Sequence, residues 1–284
     1  MNYRKLRARI RNVDIYPFLM NASGPRCTTK EELIELARSA VGAVVTKSAT
    51  ILPRQGNPEP RLYECEDYTI QAMGLPNPGY RAYVEIADEL KEYGKPLVGS
   101  IAGFNREEYL TMAMAYEQAG FDMIEVNLSC PNVEARQLCY NPEGARHVLE
   151  GLKDEIEIPL TVKVGPYLDR KLMEEMVCVF EEAGIDAIIA VNSPAGATVI
   201  KEGKFMLEPK YGGLSGKALK PLALGNVARF HELTEIPIIG VGGIKNADDV
   251  VEYLDAGAVA VQIGTAYMQE GPEIFARIID ELEL

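Results

Sequence analysis

Histidine is nearly missing from this chain of 284 residues. It occurs only at His147 and His231, both in stretches that read as outer helices. A Cys–His hydrolase therefore lacks its base. Cysteine is sparse and scattered, at positions 27, 65, 130, 139 and 178. The number is odd, with no CxxC pair and no zinc spacing. Four of the five are expected to be mostly buried thiols of a cytoplasmic protein. Positive charge is in deficit, 29 Lys and Arg against 42 Asp and Glu, for a net charge of −13. That balance argues against a nucleic-acid surface and against docking on anionic lipid. It is assigned to solvated helix faces such as Glu31, Glu32, Glu281 and Glu283. Long apolar runs are absent as well. The opening stretch, MNYRKLRARIRNVDIYPF, is basic but passes straight into strand-like residues. It reads as neither a secretory signal, a transit peptide nor a membrane span. Two motifs are incomplete or incidental. YGGLSGKA (211–218) has Tyr211 and Ala218 where a P-loop needs glycine and Ser/Thr, and the glycosylation sequon at 127–129 falls at a strand end.

Hydrophobic residues make up 47% of the chain, enough for a large core. Short apolar runs recur at Phe18–Met20, Ala43–Lys47, Leu97–Ile101, Met123–Asn127, Leu160–Val164, Ala187–Val191, Ile238–Val241 and Ala258–Ile263. Their continuous hydrophobicity fits parallel strands covered on both faces. Helical periodicity lies between them, with Leu33, Leu36, Ala37 and Ala40 on one face and Met173, Met176, Val177 and Phe180 on another. Gly120, Gly184 and Gly257 stand where helices should stop. Eight βα units without a dinucleotide fingerprint predict an α/β fold, one (β/α)8 TIM barrel; an open doubly wound sheet is the weaker alternative. A short N-terminal strand segment precedes the barrel. Two inserts, Ile51–Asn77 after strand 2 and Ser193–Ala218 after strand 6, belong at the catalytic end.

In this architecture chemistry sits at the C-terminal ends of strands. Those ends carry Asn21 to Gly24, Thr46-Lys47-Ser48, Asn127 with Ser129 and Cys130, Lys163, Asn192-Ser193, Gly242-Gly243 and Gly264-Thr265. Lysine is rarely buried without a partner, so two lysines and two asparagines aimed into one mouth point to a ligand. Gly242-Gly243 after strand 7 and Gly264 after strand 8 fit a phosphate grip, where backbone N–H groups approach an anion closely. There is no carboxylate pair or metal cluster at the strand ends. The remaining set suits a phosphorylated redox cofactor and a flat, polar substrate.

The segments NLSCPN (127–132), MNASG (20–24), TKSAT (46–50), GNPEPR (56–61), MGLPNPG (73–79), GGLSGKALKP (212–221), GVGGI (240–244) and QIGTA (262–266) resemble the dihydroorotate dehydrogenases. The likeness runs in order from about residue 15 to the C-terminus. The chain is most similar to the soluble class 1 enzymes, marked by cysteine in NLSCPN, and less so to the membrane-bound class 2 enzymes with their N-terminal extension. GPYLD (165–169) and QEGPEIFARI (269–278) favour class 1A.

The resemblance implies a single FMN-binding barrel domain over 1–284 that oxidises (S)-dihydroorotate to orotate in pyrimidine biosynthesis. It also implies fumarate as electron acceptor and a cytoplasmic homodimer. Residue by residue, it assigns Ala22, Ser23, Lys47, Ser48, Asn127 and Lys163 to FMN, together with Val191, Gly216, Gly242, Gly243, Gly264 and Thr265. Lys47, Gln71, Met73, Gly74, Leu75, Asn127, Asn132, Asn192 and Ser193 face the substrate. Cys130 is the catalytic base, with Lys47 supporting substrate and flavin. Removing a proton α to a carbonyl needs a positioned base, and the thiol lies between two asparagines able to hold the pyrimidine ring. A free thiol has a pKa of roughly 8.5, so substrate oxidation should accelerate toward that pH. The family usually carries asparagine where this chain has Gln71. A misplaced hydrogen bond there costs about 1–3 kcal/mol, enough to alter substrate preference. Three other readings follow from the same residues. One is a class 1B-like catalytic subunit passing electrons to NAD through a partner carrying FAD and an iron–sulfur cluster. Another is a related FMN oxidoreductase acting on a different dihydropyrimidine. The last is a non-catalytic phosphate- or flavin-binding barrel, which leaves Lys47 and Cys130 without purpose.

Overall fold

The computed structural model describes residues 7–129 and 137–283. Eight parallel strands form the barrel: β1 (Leu19–Asn21), β2 (Val44–Val45), β3 (Leu97–Ile101), β4 (Met123–Asn127), β5 (Leu160–Val164), β6 (Ala187–Ala190), β7 (Ile238–Val241) and β8 (Ala258–Ile263). They alternate with helices α1 (Lys30–Arg38), α2 (Tyr80–Lys91), α3 (Arg106–Gln118), α4 (Pro142–Lys153), α5 (Arg170–Glu182), α6 (Lys220–Leu233) and α7 (Ala247–Asp255). A short α8 (Thr265–Glu270) follows β8, and α9 (Glu273–Glu283) ends the described chain. Hydrogen bonding runs β1-β8-β7-β6-β5-β4-β3-β2. A parallel bridge between Met20 and Ala43 closes the ring. At this seam the Asn21 amide stands in for a ladder rung: its Nδ2 donates to Val45 O at 2.7 Å and its Oδ1 accepts from Val45 N at 2.8 Å.

Local chemistry explains the elements. Val, Ile and Leu fill strands buried on both faces. Thr29 and Glu32 make a reciprocal capping box at α1, and Asn246 with Asp249 does the same at α7. The predicted apolar faces are buried at Leu33, Leu36 and Ala37 on α1 and at Met173, Met176, Val177 and Phe180 on α5, while Ala40 falls past the end of α1 and is half-buried. Strand β2 is shorter than the Ala43–Lys47 run predicts. Val44 N and Thr46 N still bond to β3's edge, but Lys47 N turns away to Cys27 O at 2.9 Å. The expectation of mostly buried thiols holds for Cys27 and Cys139 and fails for half-buried Cys65 and exposed Cys178. Cys178 follows Val177 on α5, where the helical turn carries it off the core-facing side.

The N-terminal segment is an antiparallel hairpin, Ala8–Ile10 with Val13–Ile15. Ile10 and Ile15 are fully buried. Arg11 reaches Glu157 O at 3.0 Å and Asp186 at 3.5 Å, just ahead of β5 and β6, so the hairpin sits at the end opposite the mouth. Both inserts lie at the mouth. The first folds into strands Leu62–Glu64 and Thr69–Gln71, and Gly213–Ser215 from the second adds on antiparallel. Ile70, Ala72, Val199 and Leu207 give this sheet a small core of its own. Among the described residues no helix is long and apolar enough to cross a membrane.

Candidate active site at the barrel mouth

Side chains alternate along a strand, so Glu125 and Asn127 of β4 both point inward. Glu125 pairs in register with Ser100 of β3, and Asn127 with Lys163 of β5. This stacks two polar layers inside the barrel. In the lower one the fully buried Glu125 carboxylate accepts hydrogen bonds at Oε1 from Ser23 Oγ and from Ser100 Oγ (3.0 Å). At Oε2 it accepts from Gln262 Nε2 of β8 at 2.8 Å. Lys163 Nζ, also buried, donates to Gln262 Oε1 at 2.9 Å and to Ser23 Oγ at 3.4 Å, and stands 3.7 Å from Glu125 Oε1. A buried ammonium held this way needs both its acceptors and its counter-charge.

The upper layer is a chain of polar groups running to the rim. Asn192 Nδ2 donates to Ser129 Oγ at 2.6 Å, and Ser129 Oγ donates to Asn127 Oδ1 at 3.0 Å. Asn127 Nδ2 donates to Ser48 Oγ at 3.1 Å, and Ser48 Oγ lies 2.8 Å from Ser100 Oγ. Because Ser100 donates to Glu125 and Ser48 accepts from Asn127, the Ser48 proton points to Ser100. Lys47 Nζ donates to Gly24 O at 2.7 Å, crossing from β2 to the loop after β1.

The first insert shapes the wall. Asn57 N donates to Met73 O at 2.9 Å and Asn57 Nδ2 to Ala72 O at 2.8 Å. Asn77 Oδ1 accepts from Thr50 N (3.1 Å) and Gly79 N (2.9 Å), while its Nδ2 donates to Leu75 O at 2.9 Å. The two amides clamp Met73-Gly74-Leu75 from either side. Gln71 Oε1 accepts from Met73 N at 3.4 Å. Gly216 (φ +77°), beside Tyr68 and Thr69 of the first insert, and Gly243 (φ +71°) occupy left-handed backbone. A Cβ on Gly243 would stand 2.8 Å from Gly216 O. Only glycine leaves this approach open.

Lys47, Asn127, Lys163, the Gln71–Leu75 wall and the two glycines line one cavity of about 1350 Å³. Pockets for one drug-sized ligand run to roughly 300–1000 Å³, so this one has room for a large ligand and a small second molecule. The described residues assigned from the sequence come together here. Ala22, Ser23, Lys47, Ser48, Asn127, Lys163 and Val191 line the cavity, as do Gly216, Gly242, Gly243, Gly264 and Thr265. Gln71, Met73, Gly74, Leu75, Asn192 and Ser193 line it too. Cys130 and Asn132 lie outside the described residues. Among the described thiols, burial pushes Cys27 and Cys139 up to about 12, so neither supplies a thiolate at neutral pH. Sequence reasoning missed Glu125, Ser100, Gln262, Asn57 and Asn77. For Glu125 a signal existed: it lies two residues before Asn127, on the same face of the strand.

Gly216 and Gly243 leave the backbone open to close approach by an anion, and the Lys163 ammonium lines the cavity among its acceptors. A family model described as dihydroorotate dehydrogenase matches residues 5–284. A protein of Streptococcus equi subsp. equi, described as a candidate dihydroorotate dehydrogenase A (fumarate), is 40% identical over 273 residues, 93% of this chain and 88% of its own. A Streptococcus pyogenes serotype M5 protein of the same description is 39% identical with the same coverage. The crystal structure of a ligand-free DHODH from Eimeria tenella superposes with a TM-score of 0.85 at 22% identity, over 98% of this chain and 86% of that one. At that identity the likeness speaks for the fold alone.

Proposed function

The chain belongs to the dihydroorotate dehydrogenase family of oxidoreductases, and from that premise we propose that it oxidises (S)-dihydroorotate to orotate with bound FMN and fumarate as electron acceptor. The family is flavin-dependent; FMN is the form that suits the glycine cradle. The observation that carries the reading is the convergence of Lys47, Lys163, Asn127 and Asn192 with the Gly216–Gly243 approach on one cavity. In this reading the chain acts as a single domain, in the cytoplasm and as a homodimer, in pyrimidine biosynthesis.

Bound FMN would supply the electron sink for the substrate's C6 hydride and hand the electron pair on to fumarate. The chain supplies everything else. Gly216, Gly242, Gly243, Gly264 and Thr265 take the phosphate. Ala22, Ser23, Ser48 and Val191 bed the ring, and Lys163 offers positive charge where reduction builds negative charge. Asn127, Asn132, Asn192 and Ser193 hold the pyrimidine amides and carboxylate, with Gln71 and the Met73–Leu75 segment as the wall. Lys47 supports both molecules, and Cys130 removes the C5 proton. Fixing the ring between base and acceptor is worth much of the rate.

The test is anaerobic. Purified protein should be yellow, bleach with dihydroorotate and recover its colour with fumarate. Recovery only on adding a second protein would replace fumarate with a partner-borne NAD route. Bleaching only by another dihydropyrimidine would reassign the substrate, with Gln71 the first suspect. Cys130→Ala should keep FMN but bleach at least about 100-fold more slowly; rapid bleaching by that variant removes Cys130 from its role.

A further inference from the structure

Glu125 is a buried carboxylate that the mechanism above does not use. Its side chain is fully buried, and that of Lys163 is 5% exposed. Burying a carboxylate is costly unless it is paired and hydrogen-bonded. Here both of its oxygens have partners, from β1's loop (Ser23), β3 (Ser100) and β8 (Gln262). Packing alone does not require this arrangement, since an apolar side chain of similar volume would fill the same space at less cost. The partners instead tie Glu125 to two groups of the cavity. Gln262 bridges it to Lys163, with Nε2 on the carboxylate and Oε1 on the ammonium. Ser100 and Ser48 tie it to Asn127, and the direction of donation along that chain is set by an acceptor-only carboxylate at its lower end.

We propose that Glu125 is a positioning residue that fixes Lys163 and Asn127 and, as the counter-charge to Lys163, holds down the reduction potential of the bound flavin. The inference rests on the FMN reading above. Lys163 favours a reduced, negatively charged cofactor, and a carboxylate 3.7 Å behind it offsets that pull. With interior charges screened less than in water, the compensation reaches the cavity. The result is a cofactor neither too oxidising to pass electrons on nor too reducing to accept them.

The experiment is a spectroelectrochemical titration of the FMN-loaded enzyme. Glu125→Gln keeps the shape and removes the charge. Its bound FMN should favour the reduced form at least tenfold more than in wild type, a rise of about 30 mV for a two-electron couple. Lys163→Gln should shift the potential the other way, and the double variant should return near wild type. Ser100→Ala, which removes one hydrogen bond and no charge, should shift it by less than a third as much. If Glu125 only glues the barrel floor, Glu125→Gln lowers the melting temperature and leaves the potential in place, which overturns the proposal. Equal shifts from Ser100→Ala and Glu125→Gln overturn it as well. Should Glu125→Gln fail to fold, Glu125→Asp draws the carboxylate back from Lys163 and should raise the potential by a smaller amount; no rise sinks the idea. Wild-type protein that takes up no FMN overturns the functional reading itself, whereas FMN-loaded variants at an unmoved potential overturn this inference alone.

Discussion

At the scale of single residues, the site depends on atoms that are absent as much as on those present. Gly243 is the clearest case. It holds φ +71°, and a Cβ there would meet both Gly216 O and the Lys220 side chain at 2.8 Å. Gly243→Ala should cost about 1–3 kcal/mol in backbone strain and push Gly216 out of the cradle. FMN should then bind at least about tenfold more weakly, since 1.4 kcal/mol is a factor of ten. Fluorescence titration of apoprotein measures it, and an unchanged dissociation constant would show that the cradle does not touch the phosphate. The positive φ of Gly242 and Gly243 was legible in the sequence, because glycine directly after a strand serves either a tight turn or a close approach to an anion. Glu125 was only half legible: its place two residues before Asn127 puts it on the same strand face, but a lone acid inside MIEVN resembles a solvated residue until the strand's neighbours are known. Its partners Ser100 and Gln262 come from strands β3 and β8, and no local pattern joins them to it.

At the scale of elements, the barrel and the placement of its two inserts were readable, and the strands within the inserts were not. Five of the eight strands fall on the bounds the apolar runs gave, because parallel strands buried on both faces are written as uninterrupted hydrophobic stretches. The ends of β1 and β2 moved by a residue or more where polar seams take over, at Asn21 and at Lys47, and β6 stops one residue early, at the cis Ala190–Val191 peptide. The inserts have short strands of two or three residues, and the pairing that joins the two inserts, Ile70 with Leu214, links positions far apart in the chain. No periodicity of that length carries information. Their small core makes a prediction of its own. Ile70 is 3% exposed and packs with Ala72, Val199 and Leu207, apart from the main core. Ile70→Ala removes roughly 2–5 kcal/mol of packing, but from the inserted sheet rather than from the barrel. The main thermal transition should hardly move, while KM for dihydroorotate rises several-fold as the Gln71–Leu75 wall loosens. A large drop in melting temperature with KM unchanged would mean that the inserted sheet and the barrel fold as one unit.

At the scale of the whole molecule, acidity and buried thiols set where the fold survives. Burial raises Cys27 and Cys139 from about 9 to about 12. It also holds the Tyr116 and Tyr167 phenols well above their usual range. The sign of the linkage is fixed by which state binds more protons. Below pH 9 both the folded and the unfolded chain keep these thiols protonated, and the thiols add no pH dependence. Between 9 and 12 the unfolded chain releases the protons while the folded chain retains them. Stability therefore falls as pH rises, by on the order of 1 kcal/mol per pH unit for each thiol. The chain's net charge of −13 adds self-repulsion in the same direction as lysines lose their protons. Melting curves at pH 8, 9, 10 and 11 should show a steepening loss above 9 in wild type. A Cys27→Ala, Cys139→Ala variant should start lower, because methyl groups fill less of the core, yet lose stability with a shallower slope. Parallel curves for the two proteins would assign the alkaline loss to the phenols and to surface charge instead, and would mean that the two thiols meet solvent more readily than their burial between the helices and the barrel implies.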